Sequence, residues 1–251
     1  MLPSLDVARD PDLLEACRSA GLVSFYMGLE TTNAAGLAEA GKKQNLHRDM
    51  MSAVETIVGH GIAVHAGIIA GFDADGPGIF DELGDFIDAS PIPMLAIGAL
   101  VAPLGTPLHD RLLAAGRIVA DAGRSANHPF ATNIVPGGMS RDELLAGLRR
   151  LCARTYAPAA FERRVNRFVE LHGSLRPERP REVPRRLLLG DPDRALLKWL
   201  SRQGGGEGAM ILRLLQTAVA HPEAAFHVST FLARYAQTRH MLASLEGAGK
   251  P

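Results

Sequence analysis

Three short stretches carry residue types that could hold a nucleoside. Gly28-Leu29-Glu30-Thr31-Thr32 includes a carboxylate that could accept hydrogen bonds from a ribose diol or bind an ammonium group. Gly67-Ile68-Ile69-Ala70-Gly71-Phe72-Asp73 sets two residues without side chains into a strand pattern. A flat base could approach such a backbone closely and bond to its amides and carbonyls. Gly105-Thr106-Pro107 is a tight turn into a helix start, whose amides and hydroxyl could face a ligand. Each stretch alone has a plainer reading. A strand glycine often marks only close packing, Glu30 fits an exposed loop, and Thr106 fits a helix cap. The order and spacing of all three together point to one site.

The elements that must position them alternate. Asp10-Pro11 is a cap followed by a first helical position, with Leu13, Leu14, Cys17 and Ala20 on one face and Gly21 at the end. Val23 to Leu29 then reads as a buried strand. Met50, Met51, Val54, Ile57 and Val58 form a second helical face, followed by a strand over Ile62 to Ala70. A third helix carries Ile79, Phe80, Leu83, Phe86 and Ile87, and the strand Met94 to Val101 follows. Leu2 to Val7 offers a fourth strand. Near-continuous apolar strands joined through helices imply a parallel sheet of an α/β fold. Ligands of such folds bind at the carboxyl ends of the strands, where the three stretches fall. Three or four strands cannot close an eight-stranded barrel, so the sheet is open or belongs to a larger barrel.

After Arg117 the pattern changes. Residues 120–138 are loop-like, and Ser140 to Glu143 is a capping box opening a helix. Pro158 starts another. Residues 174–191 hold Pro177, Pro180 and Pro184 with five arginines, and read as a solvated linker. From Pro192 the chain looks helical, broken by a flexible turn at Gly204-Gly205-Gly206. The expected domains are 1–117, 118–173, a linker at 174–191, and a helical tail at 192–251.

Lysines and arginines balance acids at 27 each, so no global attraction to nucleic acid is indicated. No apolar run is long enough to span a bilayer, and the amino terminus lacks the pattern of a secretory signal. With only Cys17 and Cys152, a disulfide framework is not expected and a cytoplasmic location is the default. Both cysteines read as buried small residues. The nine histidines show no metal-binding spacing, and His65 reads as a packed strand histidine.

The chain resembles the later half of cobalamin-binding-type radical S-adenosylmethionine (SAM) proteins with the DUF4070 carboxy-terminal extension. The matching stretches include DVARDPDLLEACRSAGL (Asp6 to Leu22), FYMGLETTN (Phe25 to Asn33), GKKQN (Gly41 to Asn45) and GIAVHAGIIAGFDAD (Gly61 to Asp75). They continue with PLGTPLHDRL (Pro103 to Leu112), TNIVPGGMS (Thr132 to Ser140) and the helix start from Tyr156 to Arg164. The resemblance implies a partial (β/α) barrel, carboxy-terminal strands only, followed by an α-helical extension. It implies an enzyme in which a 4Fe-4S cluster reductively cleaves SAM to a 5′-deoxyadenosyl radical, with cobalamin-dependent methyl transfer as one reaction. Gly28, Glu30, Gly67, Ile69, Gly71, Gly105 and Thr106 become the cofactor-binding residues, with Glu30 near the SAM ribose or amino acid moiety. The family's acidic residue after the second of these strands falls at Ala74, flanked by Asp73 and Asp75. The cluster motif CxxxCxxC is absent, as is the Asp-x-His-x-x-Gly cobalamin signature. The isolated chain is therefore expected to ligate no cluster, since such a cluster needs closely spaced thiolates. It is expected to act with a missing amino-terminal half on an unidentified small molecule. The alternative is a non-catalytic half-barrel that pairs with a separate cluster-bearing subunit. An exposed parallel edge would make it prone to self-association.

Overall fold

The computed structural model describes residues 3–41, 49–119, 130–175, 191–202 and 204–247. Three parallel strands form its sheet: β1 (Ser24–Glu30), β2 (Ala63–Ala70) and β3 (Leu95–Ala99), in the order β1-β2-β3. The register sets Phe25 beside Val64, Gly28 beside Gly67, and Gly67 beside Ala96. Successive strand residues face opposite sides. One face carries Phe25, Met27, Leu29, Val64, Ala66, Ile68 and Ile97, all buried. The other carries Tyr26, Gly28, His65, Gly67, Ile69, Ala96 and Gly98, which are less covered.

Helices cover the buried face. α1 (Pro11–Ser19) is capped by Asp10, whose carboxylate accepts from Leu13 N–H. α2 (Ala34–Glu39) is capped by Asn33 and α3 (Met50–Gly59) by Asp49. α4 (Ile79–Ala89), α5 (Pro107–Ala114), α6 (Arg141–Thr155) and α7 (Pro158–Leu171) follow. The expected capping box of Ser140 and Glu143 opens α6. The last three helices are α8 (Asp191–Leu200), α9 (Glu207–Ala220) and α10 (Ala225–Gly247). Between α8 and α9, Gly204, Gly205 and Gly206 all take positive φ, so the expected break has a conformational cause. One buried cluster runs from Leu5 to Leu242, so the late helices share a core with the sheet.

The expected fourth strand is not there. Residues Leu5–Arg9 form a 3-10 helix instead. Ser4 caps it, its hydroxyl accepting from Asp6 N–H. Such local side-chain bonds compete with strand pairing. The buried pair Leu5 and Val7 mimicked strand alternation. The short helix α2 was not anticipated. Most of the expected linker and most of GKKQN lie outside the described residues.

The late segment fastens to the sheet through polar groups. The Tyr156 hydroxyl accepts from Leu95 N–H at 3.2 Å and donates to the Leu95 carbonyl at 2.5 Å. It thereby satisfies part of the outer edge of β3. Among the described residues no strand pairs with the outer edge of β1. Asn133 clamps Ala102 just beyond β3, accepting from its N–H at 2.9 Å and donating to its carbonyl at 2.7 Å. Arg164, fully buried, donates to the carbonyls of Ile92 at 3.1 Å and Thr155 at 2.6 Å.

α4 and α6 meet at Gly147, where an added Cβ would overlap the Phe80 ring. Gly147→Ala is expected to destabilise the fold by about 2–3 kcal/mol despite alanine's better helix propensity. Urea unfolding of the variant measures it.

Candidate functional site

Because all three strands are parallel, their carboxyl tips lie at one end of the sheet. On the less covered face, Gly28, Gly67 and Ala96 stand side by side in register. This row, with Gly98 beside Ile69, leaves a floor of backbone and small side chains. Above it lies a cavity of about 540 Å³. Gly28, Glu30, Gly67 and Ile69 line it together with Tyr26, Ala96 and Gly98. Its remaining wall comes from the late helices, with Cys152 and Tyr156 on one side and Thr238, Met241 and Leu242 of α10 on the other.

Glu30 ends β1 at φ 67°, the sole non-glycine residue with positive φ among the described residues. A register shift between Gly28 and Glu30 and a Thr31 N–H to Leu29 carbonyl bond of 3.0 Å build the turn. A carboxylate-bearing residue held there is uncommon, and such backbone strain concentrates at functional sites. The Tyr26 hydroxyl lies over Gly67, 3.0 Å from where a Cβ would sit. Partial burial raises the pKa of this phenol, and the nearby Glu30 carboxylate adds to the rise.

A second cavity of about 620 Å³ shares Glu30 and Ile69 and extends past the tips to Phe72, Pro107, Leu108 and Arg111. An ionic lattice braces its rim. Arg111 donates to Glu39 at 2.7 Å and to Asp73 at 3.2 Å, and Arg117 also pairs with Asp73. The Arg117 hydrogen bond is the main cause holding the Asp73 carboxyl below its ordinary pKa. Asp75 turns inward and is fully buried. It accepts from Gly71 N–H at 2.9 Å, Phe72 N–H at 3.1 Å and the Asn33 amide at 3.2 Å. Burial nevertheless raises its pKa. Thus the two acids flanking Ala74 have separate tasks. Asp73 ties down the rim, and Asp75 fixes the β2 turn against the β1 loop.

The other expected site residues sit at the rim without lining either cavity. Gly71, at φ 109°, backs onto Leu144. Gly105 takes φ 81° in the turn before α5. The Thr106 hydroxyl accepts from His109 N–H at 3.2 Å and donates to the Pro103 carbonyl at 2.7 Å, capping α5. Gly137 and Gly138 press their backbone against Asp73 and Asp75. That contact accounts for the glycine pair in TNIVPGGMS. Sequence reasoning missed Tyr26, although a period of two back from Glu30 through Gly28 reaches it. It expected a helical tail but missed that α10 walls the cavity.

The residues present do not fit an iron–sulfur cluster. Cys17 and Cys152 are both buried and free. Burial pushes the Cys152 thiol up to about 12, far from the thiolate a metal requires. Among the described residues no three His, Cys, Asp or Glu side chains gather closely enough for a metal ion. The floor and Glu30 do fit an adenosyl group, which needs a flat backbone surface and a diol acceptor.

Nearer the start of α10, His227 is buried against His172 at 4.7 Å and Phe168 at 5.3 Å between ring centroids. Burial, then the His172 and His65 charges, lower its pKa to about 3. His65 is also lowered, chiefly by burial. The His227 ring is therefore neutral in the fold at neutral pH, while the unfolded chain protonates near 6.5. Stability is full above that value and falls as the pH drops toward the folded pKa. A loss of about 2 kcal/mol between pH 7 and pH 5 is expected from the His227 proton alone. His227→Phe should flatten that slope in urea unfolding at each pH.

A parallel three-stranded sheet with one glycine-floored face, roofed by a late helix, defines a mixed α/β protein with a ligand-sized cavity. The chain belongs to the DUF4070 family, a domain of unknown function, whose signature matches residues 106–243. It is 35% identical over 163 residues to the hopanoid C-2 methylase of Rhodopseudomonas palustris (strain TIE-1), covering 65% of this chain and 30% of that protein. It is 27% identical over 133 residues to an uncharacterized methyltransferase of Synechocystis sp., covering 53% of this chain and 25% of that protein. The matches thus span less than a third of either relative. No solved structure matches it significantly. No described helix is long and apolar enough to cross a membrane.

Proposed function

We propose that this chain is the carboxy-terminal portion of a radical SAM methyltransferase and that its β1 and β2 tips take the adenosyl group of SAM. The observation that carries this reading is the in-register pair Gly28 and Gly67 beside the strained Glu30, all lining one cavity. The methyl-transferring names of the two relatives support it. In this reading the base lies on the backbone of Gly28 and Gly67, next to Ile69. Glu30 accepts hydrogen bonds from the ribose hydroxyls. Gly71, Gly105 and Thr106 shape the turns that set the rim. SAM, when bound, supplies the methyl group or, after reductive cleavage, a hydrogen-abstracting radical.

The cluster thiolates, and any cobalamin site, come from outside this chain, on a missing amino-terminal half or a separate subunit. The sheet, within residues 1–117, is then the carboxy-terminal part of a larger (β/α) barrel. The described residues of 118–173 extend it, and those after 191 form a helical tail. The location is cytoplasmic and the substrate a small molecule.

S-adenosylhomocysteine titrated into the chain in a calorimeter tests the reading without catalysis. One-to-one binding is expected, with Glu30→Gln weakening it about tenfold through the lost charged acceptor. Absence of binding heat under conditions where the chain is folded would refute it.

A further inference from the structure

The open face of the sheet continues past the adenosyl floor into a lower cavity of about 390 Å³ near the strand starts. The two spaces share Tyr26, Leu95, Ala96 and Thr238. They differ in character. The upper wall beyond β3 and along α10 is apolar, with Val101, Met241 and Leu242. The lower one gathers Ser24, His65, Arg234 and Gln237. No carboxylate lines it, and its titratable groups are Tyr26, His65 and Arg234. Arg234 is exposed and makes no hydrogen bond or ion pair within the described residues.

α10 forms one wall of both spaces. Arg234, Thr238, Met241 and Leu242 recur at three- and four-residue intervals, so they share a helix face. The flank of α10 next to this face is anchored. The Tyr235 hydroxyl donates to the Tyr156 carbonyl at 3.0 Å, and its ring stacks on Phe161 at 4.3 Å. The Arg239 guanidinium donates to the buried Glu207 at 3.0 Å. The wall is therefore held firmly and presents a cation at one end and an apolar stripe at the other.

We infer that this groove binds an elongated amphiphile with an acidic head. The carboxylate sits at Arg234, and the hydrocarbon body runs along β3 beneath Met241 and Leu242. α10, which lies largely within the DUF4070 match, thereby acts as the specificity wall. The combined volume lies in the range of cavities that enclose small ligands. Calling this amphiphile the substrate rests on the methyltransferase reading; the groove and its charge do not.

cis-Parinaric acid, a fluorescent polyene carboxylate, and its methyl ester are the probes, titrated into the full chain. The acid should bind one-to-one and about fivefold or more tighter than the ester, because only the acid can pair with Arg234. Arg234→Glu should remove that preference while leaving ester binding unchanged. Met241→Glu, at a half-exposed position, should weaken both probes about tenfold by placing a charge against the chain. Equal binding of acid and ester, acid binding indifferent to both substitutions, or no binding to the folded chain would each overturn the proposal. S-adenosylhomocysteine titrated into the same samples separates the two readings. Parinarate binding without nucleoside binding sinks the adenosyl site alone, and the reverse sinks the amphiphile site alone.

Discussion

Arg164→Ala is expected to lower the unfolding free energy by about 3–5 kcal/mol, the cost typical of breaking a buried charged network. Arg164 has no exposed surface. Its guanidinium bridges the carbonyl of Ile92, before β3, and that of Thr155, at the end of α6. Asp88 lies 3.8 Å away. Removing the side chain strands two carbonyls and leaves a cavity between the sheet and α7. Burial lowers this guanidinium's pKa to about 10, so it still enters the core charged at neutral pH. Arg167, one turn on, is the control. It is half-exposed and pairs with Glu55, so Arg167→Ala should cost under about 1 kcal/mol. Urea unfolding of both variants gives the comparison. A loss at Arg164 no larger than that at Arg167 would show that the late helices are not pinned to the sheet there.

Gly67→Leu is expected to weaken S-adenosylhomocysteine binding about a hundredfold, roughly 2.7 kcal/mol. A side chain at this position would rise from the floor into the cavity. Its first obstacle is the hydroxyl of Tyr26, a side chain that is 44% exposed and free to yield. The fold should therefore survive while the flat surface is lost. Gly71→Ala should behave in the opposite manner. Gly71 takes φ 109° and backs onto Leu144 without lining the cavity. That change strains the turn held by Asp75 and costs stability first. Calorimetric titration paired with urea unfolding separates the two effects.

Much of the sheet was legible because its strands are continuous apolar runs bounded by glycine or proline. β2 and β3 fall within the segments expected from the apolar pattern, and β1 runs one residue past its own, to Glu30. The helix starts were legible where a capping side chain precedes them, at Asp10 and Ser140. Leu5 and Val7 misled because a 3-10 turn also buries alternate residues here. Of the candidate site, Gly28, Glu30, Gly67 and Ile69 were recoverable, since they precede or occupy strand ends. The separate duties of Asp73 and Asp75 were not, because only the folded turn shows which carboxylate points inward. The return of α10 over the sheet was also hidden. Val228, Phe231, Leu232 and Tyr235 share one face of the helix, but His227, Ser229 and Ala233 around it are buried too. No single stripe announces where it docks.

Amide chemical-shift mapping with S-adenosylhomocysteine tests the central claim most directly. The account predicts that the largest shifts fall on Gly28, Glu30, Gly67 and Ile69, with smaller ones at the rim. Saturable shifts confined to other surfaces, or none at those four amides while the ligand binds, would contradict it.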